Sequence, residues 1–254
     1  MGGLVRGIYS LGLMLIASGG LAAPAAPTIP SARSTAPFNV PDNAMRLSQL
    51  ANPAEQMLAA GLKAFEAGIK GELDSNPEDA QFFAENPGLL EEITEVSRPL
   101  VRNHFLAVIP GQQRRYAQFY AAKFSADEID QLLSLYSSPT GAKVVRALYA
   151  GVDLKKLTDG RNPEGKVSAN QILEIKRSSM SDLLDKFDAD DWKSIFIFMH
   201  APVHAKLMKV VPEFHQLVAD MANEPTPELN SEVEKAAQKA TAAYFARRGT
   251  KPKT

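Results

Sequence analysis

The chain has no cysteine. Disulfides, thiolate nucleophiles and cysteine-bound metal are therefore excluded, and packed apolar side chains must carry the stability alone. It has no excess of charge either. Lys and Arg number 28 against 29 Asp and Glu, a formal charge of −1. Nucleic-acid-binding domains show a basic excess, so nothing electrostatic points to DNA or RNA as a partner. The local basic residues Arg247, Arg248, Lys251 and Lys253 sit beside Gly and Pro and read as a solvated tail, 249–254. Long apolar runs are missing after the first residues, and no segment carries a strand signal.

What is present begins with a leader. Arg6 precedes the apolar run IYSLGLMLIA, and Gly20-Leu21-Ala22 supplies small residues before Ala23. This is the pattern of a secretory signal peptide over 1–22. The run is short of the roughly 20 apolar residues that span a bilayer. An uncleaved anchor is the alternative. Residues 23–42, APAAPTIPSARSTAPFNVPD, are rich in Pro, Ala and Ser. They hold too little apolar surface to offset the entropy of ordering and read as a disordered linker. The expected location is periplasmic or secreted.

The remainder reads as helix throughout. Asn52-Pro53, Asn76-Pro77 and Asn86-Pro87 each resemble an N-cap followed by Pro in the first turn. Apolar residues recur at helical spacing after them, as at Met57, Leu58, Leu62, Phe65 and Ile69. Pro99 predicts a kink or division in the helix that contains it, and Pro110 predicts the start of another. Ser168 with Gln171 reads as a cap. A terminal helix is expected over 228–248. Residues 157–167, LTDGRNPEGKV, form the clearest loop and divide a unit at 43–156 from a unit at 168–248. The expected fold is all-α, an antiparallel bundle of roughly eight to ten helices.

The two units share a pattern. Residues 124–145 (FSADEIDQLLSLYSSPTGAKVV) align without a gap on 187–208 (FDADDWKSIFIFMHAPVHAKLM). Phe124, Ala126, Asp127, Pro139, Ala142 and Lys143 recur as Phe187, Ala189, Asp190, Pro202, Ala205 and Lys206. Composition alone would give about one or two such identities. Ser125 and Glu128 form a capping box. Ile129, Leu132, Leu133 and Tyr136 then make an apolar stripe, matched by Trp192, Ile195, Phe196 and Met199. Ser138-Pro139 and Ala201-Pro202 each turn a corner. Both copies therefore read as a helix, a Pro corner and a second helix.

Chemistry is sparse. His200 and His204 are four residues apart, a spacing that suits a metal. Pro202 lies between them, and Ser137 and Gly141 stand at the same places in the first copy, so a structural role is preferred over a metal site. His215 is too far along the helix to join them. Asp127, Glu128, Asp190 and Asp191 lie in first turns, where capping accounts for them. Ser137 and Ser138 lack a nucleophile elbow, and Ser138 reads as the cap before Pro139. Lys143 and Lys206 have two open readings: each reaches carbonyls at its own corner, or each touches a ligand. Gly141 lets backbones approach closely there. The helix holding Trp192, Phe196 and Phe198 is apolar nearly all round. Central burial is the first expectation, and an interface the second.

Residues 124–143 resemble the secreted bacterial proteins known as domain of unknown function 2059. The match is carried by Phe124, Glu128, Tyr136, Ser138, Pro139, Gly141 and Lys143. It degrades in the second copy, where Met199, Ala201 and His204 replace Tyr, Ser and Gly. The resemblance implies an α-helical exported domain of Gram-negative bacteria and brings no catalytic residues and no cofactor. Two functions stay open. One is a non-enzymatic module binding a partner protein (a second copy included), an envelope component or an apolar ligand. The other is a metal-dependent factor or hydrolase using His200 and His204 with a carboxylate such as Asp190.

Overall fold

A 35-residue helix, Leu89–Lys123, is the axis of the structure. At 1.5 Å per residue it is about 50 Å long, and each half carries a different core. The computed structural model describes residues 40–150, 166–174 and 187–249. The leader, the linker up to residue 39, most of the 157–167 loop and the tail from residue 250 lie outside them. Among the described residues the chain is all helix. In order these are α1 (Asp42–Ala51), α2 (Ala54–Ser75), α3 (Pro77–Glu85), α4 (Leu89–Lys123), α5 (Ala126–Tyr136), α6 (Pro139–Ala150), α7 (Ala189–Met199), α8 (Pro202–Ala222) and α9 (Pro227–Arg248). A short helical stretch at 169–174 lies between α6 and α7.

The first core joins Phe65 and Ile69 of α2, Phe83 of α3, Leu89, Ile93 and Val101 of α4, and Leu229, Val233 and Phe245 of α9. The second joins Ala44 and Leu47 of α1, Tyr116 and Tyr120 of α4, Ile129 and Leu132 of α5, and Val203 and Met221 of α8. Each core thus joins residues of 43–156 to residues of 168–248. The two segments are interleaved rather than stacked end to end.

Neither Pro99 nor Pro110 divides the long helix, against expectation. Each removes one donor, leaving the carbonyls of Glu95 and Leu106 without their usual helical partners. Both prolines and both of these residues are exposed, so water serves those carbonyls. The opposite face is held in two cores, and that burial outweighs the local loss. Only one of the three Asn-Pro pairs caps the following helix through its Asn. Asn76 does cap α3, accepting from the Asp79 amide. Asn52 and Asn86 instead close the preceding helices: their amides donate to the carbonyls of Ser48 and Phe82, at 3.2 and 2.8 Å. The next residue, Pro, ends the run in each case. α4 then starts from Gly88, whose φ of 88° is left-handed and costs little only for glycine.

Central burial of the apolar helix α7 is overturned. Only Asp191 is buried in it, and α7 packs on α6 and α8 at the outside of the second core. The Ser168–Gln171 cap is present, with the Gln171 amide donating to Ser168 Oγ at 3.3 Å.

Replacing Pro110 with Ala is expected to raise the free energy of unfolding by about 1–3 kcal/mol, since a helical hydrogen bond is restored on a solvent face. Urea denaturation measures it, and a loss of stability would show that the proline is needed where it stands.

Candidate functional site

Helices α5 and α7 open in the same way with different residues. Ser125 accepts from the Glu128 amide while Glu128 accepts from the Ser125 amide. Asp188 and Asp191 form the equivalent reciprocal box on α7. In each, a carboxylate stands where the helix N-terminus gathers unpaired N–H groups.

The lysines that the motif repeats reach neither their own corners nor a cleft. Lys143, on α6, donates to Asp191 at 2.5 Å and Asp188 at 3.0 Å, the cap of the other helix pair. Lys206, on α8, donates to Glu128 at 2.5 Å, the cap of the first pair. The connection is reciprocal, as across a two-fold axis. Thr140 adds a bond to Asp191 at 2.8 Å, and the Lys206 ammonium lies 5.5 Å from the centre of the Phe124 ring. The Lys143 bond holds the Asp191 carboxyl below the ordinary carboxylate range. The Lys206 bond does the same for Glu128. Asp188 is lowered first by the Asp191 amide and then by Lys143.

The corners themselves differ. Ser138 Oγ donates to the Leu135 carbonyl at 2.7 Å and accepts from the Gly141 amide at 3.0 Å. A Cβ at position 141 would lie 2.1 Å from the Leu135 oxygen, so only glycine permits this closure. In the second pair Ala201 and His204 stand in place of Ser138 and Gly141, and α7 meets α8 at 80°. His200 Nδ1 lies 2.8 Å from the Phe196 carbonyl oxygen, with its ring 4.1 Å from that of Phe196. The His204 ring packs edge-on to Phe198. Among the described residues no three His, Asp or Glu side chains are grouped to hold a metal. The motif residue Tyr136 and the interface candidate Phe198 are packed against the second core, Phe124 is within it, and Phe187 stacks edge-on to Trp192. Trp192 and Phe196 are exposed.

A concave site lies elsewhere. A cavity of about 670 Å³ opens between α1, α2, α4, α6 and α8. Its wall is mostly apolar: Met57, Ala60, Gly61 and Ala64 of α2, Phe105, Val108 and Ile109 of α4, Leu148 of α6, and Val218 and Met221 of α8. A Cβ at Gly61 would lie 2.4 Å from the end of the Phe105 ring, which would have to shift to admit it. On one side the lining residues Asn52 and Tyr149 belong to a polar network that extends to Gln113 and Ser48, outside the cavity lining. Tyr149 donates to Asn52 Oδ1 at 3.2 Å, Gln113 donates to the Asn52 carbonyl at 2.8 Å, and Ser48 donates to the Gln113 carbonyl at 2.7 Å. Burial pushes the Tyr116 hydroxyl up to about 12 and raises those of Tyr120 and Tyr149, so all three stay protonated donors. Burial pulls His104 down despite Glu228 and Glu232. At the rim Arg115 pairs with Glu224. Asn223 clasps the backbone of Val167 through two bonds, 3.0 and 2.8 Å.

Sequence reasoning missed this site. Asn52 reads as a helix start, although Gln113, in helical phase with Tyr116 and Tyr120, is a polar residue on an apolar stripe and was the available signal. Residues 113–150 match the model of a bacterial family described as "Uncharacterized protein conserved in bacteria (DUF2059)". No curated protein and no solved structure matches the chain. The matched segment runs from Gln113 through the Ser-Pro corner to Ala150. It therefore contributes both to the lysine crossing and to the cavity wall.

The depressed carboxylates fix the pH dependence of the crossing. Their stabilisation is complete above the ordinary carboxylate range and is lost as pH falls through the lowered values. Replacing Lys143 and Lys206 together with Met is expected to lower the melting temperature at pH 7 and to flatten its fall between pH 5 and about pH 3. A double variant whose acid transition keeps the original slope would contradict this.

Proposed function

We propose that this is an exported bacterial helical protein without enzymatic activity, which holds a single-chain amphiphile in the cavity between α1, α2, α4, α6 and α8. The cavity carries the reading. Its volume of about 670 Å³ is that of a small-molecule site, and an apolar wall with few polar groups is the usual make-up of one. The apolar body of the ligand lies against Met57, Phe105, Val108 and Met221. Its polar end meets Asn52, Tyr149 and the rim, where an anionic head displaces Glu224 from Arg115. The leader pattern at 1–22 supports export, and an envelope location supplies such ligands.

The test uses a fluorescent naphthylamine dye as the probe, with a sixteen-carbon fatty acid as competitor. The native chain is expected to bind the dye saturably and release it to the acid. Ala60→Trp fills the cavity and is expected to weaken dye binding by roughly tenfold or more, while an exposed change outside it, Phe196→Ser, leaves binding unaltered. Equal binding by the Ala60 variant, with an unchanged helical spectrum, would exclude this site.

A further inference from the structure

The two apolar stripes have opposite fates. In the first pair, Ile129 and Leu132 are 2% and 1% exposed because α1 lies across α5 and packs Ala44 and Leu47 onto it. In the second pair Ile195 is half-buried, and Trp192, Phe196 and Met199 are 42%, 63% and 53% exposed. They sit at i, i+4 and i+7 of α7, on one face. Among the described residues no helix lies across this face, whereas α1 covers its counterpart.

A charge marks the same difference. Asp130 of α5 accepts from Asn43, in the first turn of α1, at 3.1 Å. The aligned residue on α7 is Lys193, which is exposed. An occupant laid across α7 as α1 lies across α5 therefore meets a cation where α1 meets a carboxylate. A carboxylate in its first turn satisfies that cation and its own helix N-terminus together. A second copy of this chain fits less well. The exposed apolar side chains of α7, with Ile197, offer on the order of 450 Å², whereas a stable dimer buries about 800 Å² per partner. A single laid-on helix needs no more than the face provides.

We propose that the exposed face of α7 is the docking site for an amphipathic helix of a partner protein, bearing small and leucine residues on its apolar side and a carboxylate in its first turn. This is independent of the cavity reading.

Trp192 is the only tryptophan in the chain and lies within the face, so its emission reports occupancy of this place alone. The probe is a synthetic peptide of residues 40–53 with Asn43→Glu, stapled on its solvent side, titrated onto the full chain. A saturable blue shift of Trp192 is expected, with Lys193→Glu weakening it by roughly fivefold. A peptide carrying Asn43→Lys is expected to restore affinity for the Lys193 variant. The proposal is overturned if Trp192 does not respond to the peptide up to about 1 mM, the range of very weak binding. It is equally overturned if the response ignores the charge at position 193. A shift that needs only phosphatidylglycerol vesicles would assign the face to a bilayer, and one that needs only higher protein concentration would assign it to a second copy. Either would also overturn it.

Discussion

Two lysines crossing between two helix pairs are the constraint on which the rest of the second half of the molecule depends. Lys143 ties α6 to the start of α7, and Lys206 ties α8 to the start of α5. Each ammonium meets a carboxylate already engaged in capping a helix. The same oxygen set therefore satisfies backbone N–H groups, complements a helix dipole and receives a cation. An exposed ion pair is weak alone, but here the carboxylate is ordered beforehand by its cap, so less side-chain freedom is lost on pairing.

The crossing reaches the cavity through the helices it fastens. Lys143 and Lys206 stand near the N-termini of α6 and α8. Leu148 and Tyr149 near the end of α6, and Val218 and Met221 near the end of α8, form the cavity wall. Fastening one end of each helix orients the other. The long helix α4 supplies the opposing wall and survives two internal prolines because both face water. The two helix pairs then diverge in what they do with the same design: the first buries its stripe under α1 and closes its corner on Gly141, while the second leaves the stripe bare and opens its corner around His204.

Much of this was legible in the residues. The capping box at Ser125, the Pro corners, the stripe phases and the all-α class follow from local rules that act within one or two turns. The cavity was not legible, because its polar side is assembled from Asn52, Arg115 and Tyr149, which are far apart in the chain. Nor was the destination of the lysines. A repeated Lys beside a corner suggests a contact with that corner, and only the interleaving of the pairs sends each to the other's cap. The exposure of α7 was misjudged for a related reason. Apolar composition reports a preference for burial, but whether a covering helix exists depends on distant segments such as α1.

Cap and lysine, the pattern shared by the two stretches, act in crosswise fashion. Double-mutant thermodynamic cycles test this most directly. Lys143 with Asp191 and Lys206 with Glu128 should each show favourable coupling, while Lys143 with Glu128 and Lys206 with Asp191, the pairings within each copy, should show none. Coupling within the copies, or its absence from both crossed pairs, would contradict the account.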